Sequence, residues 1–242
     1  MKKLLANFLI LFLFSCAQLE NEVSPNFIII YADDLGFGDV GKFSPKDLSL
    51  PNIKRLEEEG QVWTNFYSAD AVCSPSRGAL LTGKLPINSG LYGDSQVVLF
   101  PNSKVGMPSS EKTIAEVLSQ NGYETAILGK WHLGDKEEFF PTRHGFKYWY
   151  GIPYSNDMDW EIDGITSDVL FKADSETEVM KIYMELSPKI RENLFDPDIS
   201  DWNVPLISSK KVNDSYEDLI IERPVDQRTT TKRYTEEALN FI

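Results

Sequence analysis

Phe27-Ile28-Ile29-Ile30-Tyr31 is an unbroken apolar run. That pattern predicts a strand buried on both faces of a sheet rather than one with a wet side. Asp33 and Asp34 follow at once, then Leu35-Gly36. From Pro51 to Gly60 the spacing predicts a helix, with the proline in its first turn and the glycine as its stop. Val62 to Tyr67 is rich in β-formers. Thr113-Ile114-Ala115-Glu116 reads as a capping box that opens a helix ending near Asn121-Gly122, and Thr125 to Leu128 is a second short apolar strand. From Asp157 to about Ser200 the pattern weakens into an acidic, mixed stretch, read as an insertion that is part helical. Helical spacing returns between Thr229 and Ile242 through Tyr234, Ala238, Leu239 and Ile242. Strands alternating with helices predict an α/β fold: a largely parallel mixed sheet with helices on both faces and its site at the carboxyl ends of the strands.

The N-terminus carries a different signal. Lys2 and Lys3 precede an apolar stretch from Leu4 to Phe14, too short to span a bilayer as a permanent helix, and Ser15-Cys16 follow. Leu13-Phe14-Ser15-Cys16 resembles a bacterial lipobox, which implies cleavage before Cys16 and a lipid on its sulfur; plain secretion with cleavage after Ala17 is the alternative. The expected organisation is therefore a signal peptide at 1–15, a linker at 16–25 and one catalytic domain from 26 to 242. The product is expected outside the cytoplasm, periplasmic or at the cell surface, held to the membrane through Cys16. A lipidated Cys16 leaves Cys73 without a disulfide partner, and a lone exported cysteine is a reactive thiol or something made from one.

With 42% hydrophobic and 12% aromatic residues, the 242-residue chain can bury one sizeable core. Loss of residues 1–15 removes two lysines and no acids, leaving 22 basic against 37 acidic residues and a net charge of −15. So acidic a surface argues against nucleic acid as a partner. It says little against an anionic substrate, because a metal and nearby cations set the field at a site.

The chemistry concentrates in Cys73-Ser74-Pro75-Ser76-Arg77-Gly78-Ala79-Leu80-Leu81-Thr82-Gly83. Ser74 suits an N-cap, Pro75 the first helical position and Gly83 a left-handed helix end. Cys73 would then stand just before a helix N-terminus, where orphan N–H groups favour negative charge. Arg77 adds a permanent cation one turn on. A buried cysteine at an ordinary helix start would account for Cys-Ser-Pro alone; a tyrosine-phosphatase loop would need five residues between cysteine and arginine, and three stand here.

Two further groups join it. Adjacent carboxylates at Asp33 and Asp34 would repel at a strand end without a cation, and calcium tolerates such irregular oxygen donors; capping a turn in solvent is the alternative. Two histidines are too few for a zinc site. In Gly129-Lys130-Trp131-His132-Leu133-Gly134 an extended chain would turn Lys130 and His132 to one side and Trp131 into packing. A cation beside an imidazole suits an anion under attack, although a salt-bridged lysine and a hydrogen-bonded histidine would explain the pair equally.

Taken together, these residues resemble the formylglycine-dependent sulfatases of the alkaline-phosphatase-like superfamily, arylsulfatase type. The cysteine run, Asp33-Asp34-Leu35-Gly36, Gly129-Lys130-Trp131-His132, Pro141 to Phe146, Gly151 to Asp157 and Arg233 to Ala238 carry the likeness. The resemblance implies that Cys73 is oxidised to formylglycine by a formylglycine-generating or anaerobic sulfatase-maturing enzyme. It implies one calcium ion on Asp33, Asp34 and residue 73. It gives Cys73, Arg77, Lys130 and His132 catalytic roles, with Lys130 and His132 also binding the sulfate ester of a small molecule or glycan. His144 is read as structural. In the family, the helix matched by Thr229–Ile242 leads into a strand with a second histidine, and an Asp-Asn pair and a second lysine come later. The chain is thus expected to be the N-terminal part of a longer enzyme, incomplete at its C-terminal end, binding metal weakly and turning over poorly or not at all by itself. A phosphoryl- or phosphono-hydrolase of the same superfamily, or a non-catalytic lipoprotein binding sulfated glycans, are the alternatives.

Overall fold

A computed structural model describes residues 24–41, 44, 50–91, 98–167, 169, 175–186, 188, 192 and 198–242. The expected signal peptide and Cys16 lie outside the described residues. Residues up to Asn65 and those from Phe66 onward form two compact units.

In the first unit α1 runs from Pro51 to Glu59 as the sequence predicts, with Pro51 in the first turn. None of its residues is buried, and it is laced by Lys54–Glu58 and Arg55–Glu59 pairs one turn apart. Phe27–Tyr31 does not form the predicted buried strand: no strand is assigned there, and the five side chains are 41–82% exposed. An apolar run becomes a doubly buried strand only when neighbours take its ladder and cover both faces. Among the described residues this unit contains no other strand to provide them. Val62–Tyr67, across the boundary, is likewise not a strand.

The second unit is built on a four-stranded sheet of order β1-β2-β5-β6: β1 Ala126–Leu128, β2 Tyr148–Gly151, β5 Leu206–Val212 and β6 Ser215–Glu222. A separate small hairpin joins β3 Glu161–Ile162 to β4 Ile165–Thr166. The sheet is mixed, as expected, but less parallel than the pattern implied. β1 pairs parallel with β2, whereas β5 runs antiparallel to both β2 and β6. The two-residue connection Asn213-Asp214, with Asn213 at φ +55°, turns β5 straight back into β6. Crossover connections are needed only for parallel neighbours.

Alternation along these strands sorts the core. Ile127, Trp149 and Ile207 face one side, into a cluster with Met107, Ala115, Trp131 and Leu133. Leu128, Tyr148, Tyr150 and Leu206 face the other, with Val204, Val225 and Tyr234. Helices close both faces. α3 (Ile114–Gln120) opens with the predicted capping box: Thr113 Oγ1 accepts from Glu116 N–H at 3.1 Å, and Thr113 N–H donates to the Glu116 carboxylate at 2.8 Å. α5 (Thr230–Phe241) covers the second face, where Tyr148 donates to Glu237 at 2.8 Å and Arg233 to the Tyr150 hydroxyl at 3.0 Å. In the acidic stretch, α4 (Glu176–Glu185) supplies the predicted helical part.

Candidate active site

The cysteine run folds into α2, Cys73–Thr82. It begins earlier than predicted: Val72 is the N-cap, so Cys73 lies in the first turn and Pro75 is the third helical residue. A proline fits there because that position has no carbonyl to donate to within the helix. Ser74 does not cap. Its wholly buried hydroxyl instead accepts the Leu99 N–H at 3.0 Å. Gly83 ends the helix as expected, at φ +68° with its N–H on Ala79 O at 2.8 Å.

Lys130 arrives at the carboxyl end of β1. Beyond the strand the parallel ladder continues, with Gly129 N–H on Tyr150 O, Trp131 N–H on Ile152 O and His132 N–H on Pro153 O at 2.9–3.0 Å. Gly151 makes this approach available: a Cβ there would stand 1.8 Å from Gly129 O. The path is not simply extended, since Gly129 sits at φ +105° and His132 at φ +61°. Trp131 does turn into packing, buried, with its indole N–H on Phe139 O at 2.8 Å.

Two cations meet α2. Lys130 Nζ lies 3.2 Å from Cys73 Sγ and 3.3 Å from Ser155 Oγ. Arg77 donates through Nη1 to Lys130 O at 2.8 Å, tying the lysine backbone to the helix that carries the cysteine. His132 is wholly buried, with Nε2 at 2.7 Å from Leu99 O. A carbonyl only accepts, so Nε2 carries the proton and Nδ1 is the basic nitrogen of the neutral ring. The fold therefore brings Cys73, Arg77 and Lys130 into contact and joins His132 to the start of α2 through Leu99. An ammonium meets the sulfur at the start of a helix, and a guanidinium one turn on holds the backbone of that lysine; cations so placed stabilise negative charge on a nucleophile or a bound oxyanion.

Sequence reasoning missed Ser155. It follows β2 as Lys130 follows β1, and the parallel β1–β2 pairing sets the two loops side by side. Its segment was matched, but no property of a single serine marks it. His144, read as structural, is buried; its carbonyl accepts Thr113 Oγ1 at 2.6 Å and its ring stacks on Trp131.

The expected metal set is shared between the units, Asp33 and Asp34 in the first and Cys73 in the second. The two carboxylates are hard oxygen donors of the kind calcium takes. No group of three titratable or thiol side chains suited to a metal occurs among the described residues.

A sulfatase family model matches residues 25–239. The chain belongs to the sulfatase family. It is 47% identical over 144 residues to arylsulfatase A of Bos taurus, covering 59% of this chain and 28% of that protein. It is 36% identical over 233 residues to arylsulfatase G of Rattus norvegicus, covering 95% and 39% respectively. To N-acetylgalactosamine-6-sulfatase of Homo sapiens it is 34% identical over 222 residues, covering 90% and 36%. This sulfatase chain thus spans between about a quarter and two fifths of the length of these relatives. Among solved structures, that titled crystal structure of Ps i-CgsB superposes with a TM-score of 0.56 at 28% identity, over 88% of this chain and 40% of that one.

Proposed function

We propose that this protein hydrolyses organic sulfate esters, aryl or carbohydrate sulfates, through a formylglycine made from Cys73 by a maturation enzyme. The observation that carries the reading is Lys130 Nζ at 3.2 Å from Cys73 Sγ, with Arg77 tied to the lysine's own carbonyl. Cys73 Sγ stands in for the oxygens of the hydrated aldehyde. That hydrate supplies one hydroxyl as nucleophile and a second that lets the residue shed sulfate unaided, so each turnover consumes one water and yields an alcohol and sulfate. Lys130 binds the sulfuryl oxygens and neutralises charge that grows on them. Arg77 fixes the Lys130 backbone and adds positive potential at the helix start. His132 takes a proton at Nδ1 from a hydroxyl of residue 73, its Nε2–H staying on Leu99 O. Ser155 gives the lysine ammonium a second partner at 3.3 Å.

Calcium, if bound in part by Asp33 and Asp34, would supply Lewis-acid charge to a sulfuryl oxygen. The names of the matched relatives, two arylsulfatases and one N-acetylgalactosamine-6-sulfatase, support aryl and carbohydrate sulfates as the substrate class. The basic, apolar leader and Cys16 support an exported protein anchored by lipid.

Protein purified from its native host should be offered one aryl group as its sulfate and as its phosphate. Sulfate turnover well above phosphate turnover is the expected result. A preference for phosphate would make the protein a phosphoryl hydrolase. Binding of sulfated glycan without turnover, unchanged in Cys73→Ala, would make it a binder.

A further inference from the structure

We infer that Ser74 is a positioning residue for the His132 base, acting through the backbone of Leu99. The inference rests on the reading of His132 as the group that accepts a proton from residue 73. Ser74 Oγ accepts Leu99 N–H at 3.0 Å, and Leu99 O faces His132 Nε2 at 2.7 Å. Ser74 and His132 are wholly buried and Leu99 is nearly so. The second helical position needs no hydroxyl, and this one leaves its own helix uncapped to hold a segment 25 residues further along. His132 meanwhile stands at φ +61°, a strained conformation that persists only where the surroundings over-determine it. Leu99 O is one of those surroundings. By accepting only, it dictates the Nε2–H tautomer and stabilises the imidazolium formed when Nδ1 takes a proton. Ser74 adjoins Cys73 in the chain, so one turn of α2 sets both the place of the nucleophile and the orientation of its base.

The test compares Ser74→Ala and Ser74→Thr with the parent. In the 242-residue chain, with two histidines, nitrogen-15 shifts of the His132 ring should report an Nε2–H tautomer in the parent and the Thr variant, and a mixture in the Ala variant. In protein matured in the native host, Ser74→Ala should lower kcat on an aryl sulfate by about ten-fold with KM nearly unchanged. Thr should restore kcat. The mass of residue 73 in each variant shows that conversion to the aldehyde is intact. An unchanged tautomer and an unchanged kcat in Ser74→Ala would overturn the inference. If the matured parent leaves sulfate esters untouched, the functional reading fails, while the tautomer comparison still decides whether Ser74 positions the ring.

Discussion

Replacing His144 should make the second unit less sensitive to acid. The side chain is 2% exposed, stacked at 6.1 Å on Trp131, and its Nε2 has no hydrogen-bond partner among the described residues. Burial pushes its pKa down from 6.5 to about 4; Glu116 works against the fall and Arg143 with it. The folded state therefore binds fewer protons than the unfolded one between those values, and stability is lost as pH falls through that window. At about 1.4 kcal/mol per pH unit, the full loss below pH 4 is roughly 3 kcal/mol, and at pH 5 it is already about 2 kcal/mol. Urea unfolding of the parent and of His144→Gln at pH 7 and pH 5 isolates this effect, since the carboxylates common to both cancel. The parent should lose about 2 kcal/mol more than the variant over that interval. Equal losses in the two proteins, or a His144 ring signal titrating near 6.5, would refute the reasoning.

Lys130→Ala should abolish measurable turnover of aryl sulfates, a fall of at least about a thousand-fold in kcat, without altering the mass of residue 73. Lys130→Arg should restore little, because a planar fork does not replace a point charge in contact with both Sγ and Ser155 Oγ. Gly151→Ala places a methyl 1.8 Å from Gly129 O, so the β1–β2 ladder must part next to Lys130; urea unfolding should show a loss of about 3 kcal/mol or more. Thr113→Ala removes both the α3 cap and the buried bond to His144 O, and should cost about 2 kcal/mol in the same assay.

Local chemistry was legible in the sequence where local groups decide the outcome. The Thr113–Glu116 box, the Gly83 stop, the proline start of α1 and the inward turn of Trp131 all follow from residues within a few positions of one another. Long-range partnership was not. Ser74 looks like a cap until Leu99, far along the chain, claims its hydroxyl. Ser155 gains a role only when the parallel pairing of β1 and β2 sets its loop beside Lys130. Phe27–Tyr31 has the composition of a central strand, yet composition cannot supply a partner strand, and the unit holds none among its described residues. The β5–β6 hairpin drew no reading from the sequence for a related reason: Leu206–Val212 mixes apolar residues with serines and lysines, and the tight Asn213-Asp214 turn that reverses the chain is a two-residue signal.

The proposed reaction depends on a residue 73 whose final form the gene would not encode. The most direct test is the mass of the peptide spanning residues 73–77 in protein isolated from its native host. An aldehyde, or its hydrate, in place of the thiol at residue 73 is the result this account predicts. An unmodified cysteine throughout would contradict it and remove the proposed nucleophile.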